Sequence, residues 1–149
     1  MTHSRRTQQR IAATALVVVV IVVLVSVLLP NTAIAWMRNH WPWFNRPMLW
    51  IEHADNAINL VHAVLFLALG LTARFALPAW RFSQAALAFL LLGAMTEWVQ
   101  FLVPGRHPRL GDVLVDLAAG MLGWLTACAL SAAWRTIAGA AARGRELDP

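Results

Sequence analysis

The 149-residue chain contains no lysine, no tyrosine and a single cysteine, and only seven of its residues are acidic. The lone cysteine, Cys128, cannot form a disulfide within the chain and cannot build a cysteine-based metal site. Charged residues make up 13% of the chain and hydrophobic residues 60%, whereas soluble domains carry about 25% charged residues. This balance excludes a conventional soluble domain with a charged, solvated surface.

The chain is dominated by long apolar runs with few charged residues. A helix needs about 20 apolar residues to cross a bilayer, and in lipid even a valine-rich run is helical because the backbone must satisfy its own hydrogen bonds. The sequence therefore predicts an all-α polytopic membrane protein with one membrane domain over residues 1–149. Its four predicted transmembrane helices are residues 11–29, 57–77, 82–103 and 113–134.

The one long connection, residues 30–56, is rich in tryptophan, which favours the headgroup layer of a bilayer. We expect an extracytoplasmic loop that lies along the membrane interface, with a short helix near residues 47–53. An aromatic belt is one interpretation of this segment, and a contact surface for a lipid or a partner is another. The tryptophans are Trp36, Trp41, Trp43 and Trp50.

Arginine placement predicts the orientation in the membrane. If the amino terminus is cytoplasmic, the arginines divide eight inside to four outside, which favours two cytoplasmic termini. The net charge of +5 is then explained by topology, and we expect no nucleic-acid partner. Residues 33–35 resemble a signal-peptidase site, but the preceding apolar run is longer than a signal core, which favours a retained anchor.

Polar side chains recur at helical spacing near one end of the last three predicted helices. Each set lies on one helix face, because residues three or four apart are neighbours. Charges at this depth are costly, so we expect the three sets to face one another. The sets are Asp55, Asn59 and His62; Glu97 and Gln100; and Asp112 and Asp116.

Two arginines, Arg106 and Arg109, lie in the short connection before the last helix and can reach down as counter-charges. We predict that Arg106 pairs with Glu97, Asp112 or Asp116. Structural alternatives exist for several members of the cluster. Asp112 can act only as a helix N-cap, and Asn59 and His62 can serve only as hydrogen-bonding contacts between helices.

The order of these residues resembles the VanZ-like family, which is named after a protein that gives low-level teicoplanin resistance. The resemblance covers roughly residues 55–127 and lies in Glu97-x-x-Gln100, Pro104-Gly105-Arg106, Asp112-x-x-x-Asp116 and the pair Gly120 and Gly123. It implies a small multi-pass protein of the bacterial cytoplasmic membrane. Asp116 stands where the family usually has asparagine, and Ala68 stands where it has proline.

Three functions compete at this point. The first is binding of an amphiphile, such as a lipid-linked glycan, a lipid headgroup or a lipopeptide antibiotic, in a polar pocket of the outer leaflet, with an envelope or glycopeptide-resistance role. A membrane-protein partner or a homo-oligomer fits this class. The predicted ligand-binding residues are Asn59, His62, Glu97, Gln100, Arg106, Arg109, Asp112 and Asp116.

The second is an intramembrane enzyme in which Glu97 with Asp112 or Asp116 acts as an acid–base pair, assisted by His62. The third is a small proton-coupled transporter in which Glu97 titrates. The chain has no nucleophile elbow and no metal-binding spacing. We therefore favour a binding protein over an enzyme and expect neither a metal nor another cofactor.

Overall fold

The computed structural model of the chain describes residues 2–43, 45–46, 57–103 and 109–146. Within these ranges the protein is helical and contains no strand, which confirms the predicted all-α class. The principal helices are α1, Thr2–Leu28; α2, Asn31–His40; α3, Ala57–Ala76; α4, Phe82–Gln100; and α5, Leu110–Glu146.

Three of these helices contain segments that are long and apolar enough to cross a membrane. The segments are Thr7–Ser26 in α1, Phe82–Gln100 in α4 and Leu110–Ala140 in α5. In α3 the apolar stretch is shorter, Leu60–Ala76. Three membrane spans thus have the length and composition they need, and the fourth remains a prediction.

The segment predicted as an interfacial loop contains a helix of its own, α2. Proline disfavours helical geometry in the residue before it, and α1 accordingly ends at Leu28, two residues before Pro30. The extended backbone of Pro30 then caps the start of α2. The ring of Trp36 stacks on His40 with 4.4 Å between centroids. The short helix predicted near residues 47–53 lies outside the described residues.

Helix α3 packs mainly against two other helices. It packs along α5 and α1, and α4 packs along α5. The core is apolar and includes Phe66, Phe89 and Trp124, each at most 3% exposed. The outer faces are apolar as well: Val17, for example, is 57% exposed. Large exposed apolar surfaces are unfavourable in water, so these helix faces suit a lipid environment.

Two glycines allow α3 and α5 to approach closely. A Cβ built on Gly70 would overlap the carbonyl oxygen of Gly120, and one built on Gly123 would overlap the carbonyl oxygen of Leu67. Small residues at helix contacts are typical of membrane proteins, where they let backbones pack against each other. This contact holds the first half of α5 against α3 and so positions the polar residues of both helices.

Candidate functional site

A buried histidine–carboxylate pair joins α3 to α5. The Nδ1 atom of His62 lies 3.0 Å from Oδ1 and 3.2 Å from Oδ2 of Asp116. The His62 residue is 8% exposed and Asp116 is completely buried. With Asp116 ionised and the imidazole neutral, Nδ1–H of His62 donates to Asp116 and Nε2 is left as an acceptor.

That second nitrogen faces α4. The Nε2 atom of His62 lies 3.4 Å from the amide nitrogen of Gln100, so the amide N–H can donate to it weakly. Gln100 is 3% exposed. Three helices therefore meet in one chain of contacts that runs from Asp116 through His62 to Gln100.

Glycine at position 93 makes room for this arrangement. A Cβ at Gly93 would lie 3.1 Å from the Cβ and 3.3 Å from Oδ2 of Asp116. The hydroxyl of Thr96 donates to the carbonyl oxygen of Gly93 at 2.7 Å. Neither Gly93 nor Thr96 was among the residues predicted from the sequence, although Gly93 lies one helical turn before Glu97 and on the same face.

Glu97 connects α4 to the start of α5. Its Oε2 accepts a hydrogen bond of 2.6 Å from the backbone N–H of Arg109, just before α5 begins. Its other oxygen, Oε1, is buried and has no hydrogen-bond partner among the described residues. Burying an acceptor without a donor costs free energy. Within the described residues, no hydrogen bond to Oε1 offsets that cost.

Asp112, on α5, resembles Glu97 in having a buried oxygen without a hydrogen-bond partner among the described residues. It lies inside the first turn of α5, which begins at Leu110, and not at the N-cap that the sequence offered as an alternative role. The residue is 2% exposed, and its Oδ1 also lacks a partner within the described part of the chain. Glu97 lies within electrostatic range of Asp112, His62 and Asp116.

The VanZ/LLP1 family model matches residues 4–131. The chain belongs to the VanZ/LLP1 family. No curated protein sequence and no solved structure matches it. The family match confirms the resemblance drawn from the motif residues and extends it to α1, which the resemblance did not include.

For this VanZ/LLP1 protein, the predicted site residues can now be placed. The structure brings five of them together at one end of the bundle. The side chain of Arg109 is exposed, and the residue reaches Glu97 through its backbone N–H. Arg106, Asp55 and the side chain of Asn59 lie outside the described part, so the pairing of Arg106 stays a prediction. The five are His62, Glu97, Gln100, Asp112 and Asp116.

One departure from the family pattern has a structural counterpart. Asp116 stands where the resemblance leads one to expect asparagine, and both of its oxygens lie within 3.2 Å of His62. A carboxylate accepts through both oxygens, whereas an asparagine amide offers only one. Among the residues that the structure describes, no group of three or more histidine, cysteine, aspartate or glutamate side chains could hold a metal ion.

Proposed function

We propose that this protein binds an amphiphile in a polar pocket at the end of the bundle where α3 and α5 begin and α4 ends. The proposed orientation has four membrane spans, both termini in the cytoplasm and the pocket in the outer leaflet of the bacterial cytoplasmic membrane. The arginine distribution supports this orientation. The pocket residues are His62, Glu97, Gln100, Asp112 and Asp116.

One observation carries the proposal: Glu97 Oε1 and Asp112 Oδ1 are buried oxygens without donors among the described residues. Ionisable side chains inside a membrane protein are expensive and mark functional sites by default. Folding alone gives no reason to bury acceptors that remain unsatisfied. A ligand that donates hydrogen bonds to both oxygens would supply that reason.

The surroundings favour a ligand with both polar and apolar parts. The helices that carry the cluster are apolar on their outer faces: Trp98 on α4 is 68% exposed and Leu114 on α5 is 65% exposed. A hydrocarbon tail can lie against these faces while a headgroup enters the cluster. The exposed guanidinium of Arg109 is available for a phosphate or carboxylate near the pocket.

A role in the cell envelope follows from this proposal. A lipid-linked glycan, a lipid headgroup or a lipopeptide antibiotic combines an apolar chain with a hydrogen-bonding headgroup. Binding or shielding such a molecule would change envelope chemistry or glycopeptide sensitivity, in accordance with the founding member of the family. A membrane-protein partner or a second copy of the chain would act in the same place.

Intramembrane acid–base catalysis is the second candidate, and the His62–Asp116 geometry favours it. A carboxylate that holds the Nδ1 proton of a histidine leaves Nε2 as a base. The two candidates differ in what His62→Gln does. A binding site retains its ligand with reduced affinity, whereas an acid–base site retains the ligand and loses turnover.

Native mass spectrometry of the protein extracted with its lipids tests the binding function. We expect a co-purifying amphiphile on the wild-type protein and its loss in Glu97→Gln, which keeps the shape of the side chain and removes its charge. Glu146→Gln is the matched control, because Glu146 lies 30 residues beyond Asp116 on α5, about 45 Å away at 1.5 Å per residue. Equal occupancy in all three proteins would contradict the proposal.

A further inference from the structure

The cluster contains acceptors in excess of donors. Three carboxylates, those of Glu97, Asp112 and Asp116, lie within electrostatic range of one another. Among the described residues, the donors that reach them are the His62 ring and the backbone N–H of Arg109. Two of the other oxygens, Glu97 Oε1 and Asp112 Oδ1, are buried and receive no hydrogen bond from the described residues.

We infer that the pocket takes an amphiphile whose headgroup carries a primary ammonium group. This inference rests on the proposed binding function and names its ligand class. The ammonium group would bind between Glu97 Oε1 on α4 and Asp112 Oδ1 on α5, the two buried oxygens that have no donor within the described part of the chain.

Chemistry separates an ammonium group from the alternatives. A primary ammonium presents three N–H donors on one positively charged centre, so it can bond to both free oxygens and offset the excess negative charge. A hydroxyl has a single O–H donor and no charge. A trimethylammonium is charged but has no N–H, so it leaves both oxygens without a hydrogen bond.

The predicted pairing of Arg106 does not remove this excess. One arginine can pair with one of the three carboxyl groups, so two carboxyl groups then remain beside His62. Buried charge without a counter-charge is strongly destabilising. An ammonium group from a ligand supplies a counter-charge and so reduces this destabilisation. The site is therefore selective for cationic headgroups over neutral ones.

Three phospholipids with identical acyl chains test the inference. Their headgroups are ethanolamine, its trimethylated form choline, and glycerol. The full-length protein in detergent is titrated with each lipid, and bound copies are counted by native mass spectrometry. The trimethylated headgroup can donate no N–H bond to either oxygen, so we expect ethanolamine lipid to bind about tenfold or more tightly than choline lipid.

Substituted proteins test whether the preference for the ethanolamine headgroup depends on Glu97 and Asp112. The double variant Glu97→Gln, Asp112→Asn keeps side-chain size and removes both charges, so the ethanolamine preference should fall to about onefold. Glu146→Gln should retain it. Should the double variant fail to fold, the headgroup comparison on the wild-type protein decides by itself.

The outcomes separate the two proposals. Equal binding of all three lipids by the wild-type protein, abolished in Glu97→Gln, would overturn the ammonium inference and leave amphiphile binding intact. Preferential binding of choline or glycerol lipid would also overturn it. No saturable binding of any lipid, together with no co-purifying amphiphile, would overturn both.

Discussion

The imidazole of His62 and the carboxylate of Asp116 depend on each other because both are buried. Each was removed from water at a cost, and the hydrogen bonds of 3.0 and 3.2 Å between them offset that cost. Removing one member of a buried pair leaves the other without compensation and is strongly destabilising. Removing both members at once is often much less damaging.

Asp116→Ala should therefore lower the free energy of unfolding by about 3–5 kcal/mol. Asp116→Asn should cost less, because an amide oxygen still accepts from Nδ1–H of His62. The measurement is thermal unfolding of the detergent-purified variants. The double variant His62→Leu, Asp116→Ala serves as the control for coupling, and a strictly additive loss would show that the pair does not act as a unit.

Helix contacts through glycine set the positions of these side chains. The α3–α5 contact places Gly123 against the Leu67 carbonyl, and a Cβ there would overlap it. Gly139 lies on the same helix, α5, and a Cβ there would meet nothing within 4 Å. The two glycines therefore respond in opposite ways to the same added methyl group.

Gly123→Ala should destabilise the protein by about 1–3 kcal/mol through overpacking. Gly139→Ala should be neutral or stabilising by up to about 1 kcal/mol, because alanine is the better helix former. Thermal unfolding in detergent again measures the difference. A Gly123→Ala protein as stable as the Gly139→Ala protein would contradict the close α3–α5 contact.

Helix α5 is longer than a bilayer is thick. It contains 37 residues, about 55 Å at 1.5 Å per residue, whereas the hydrocarbon core measures about 30 Å. The helix begins three residues before the predicted span of 113–134 and ends twelve residues after it, so most of the excess length lies at the carboxyl end. There the helix continues beyond the predicted boundary at 134 through alanine and arginine, which are both good helix formers.

The orientation of the protein in the membrane can be tested by cysteine labelling, since Cys128 is the only native cysteine. In a Cys128→Ser background, His107→Cys should react with a membrane-impermeant maleimide on intact cells, because we predict residues 104–109 outside. Ala79→Cys, in the connection between α3 and α4, should react only after the cells are permeabilised. The reverse pattern would place the pocket in the cytoplasmic leaflet and contradict the proposed function.

Much of the architecture was predictable from apolar run lengths. Helix α4 ends at Gln100, three residues before its predicted end at 103, and α3 ends at Ala76, one residue before its predicted end at 77. The amino-terminal end of α1 and the carboxyl-terminal end of α5 were predicted less well. The boundary of a membrane span is read from loss of hydropathy, whereas a helix continues into water wherever its residues favour it.

The candidate site was predictable as a set of residues but not as a set of contacts. Spacing of three and four residues places Glu97 with Gln100 and Asp112 with Asp116 on single helix faces. Within the described residues, Asp116 contacts His62, and Glu97 accepts a hydrogen bond from a backbone N–H. A backbone donor leaves no trace in side-chain spacing, so no sequence pattern could have indicated it.

The amino-acid sequence by itself determined that the chain is helical, that its helix surfaces are apolar and which polar residues share a face, because hydropathy and helical periodicity are local properties. The tertiary structure decided which of those residues touch and which oxygens remain without donors. These contacts depend on the rotation and register of one helix against another, and glycines buried between α3, α4 and α5 set both by letting the backbones approach.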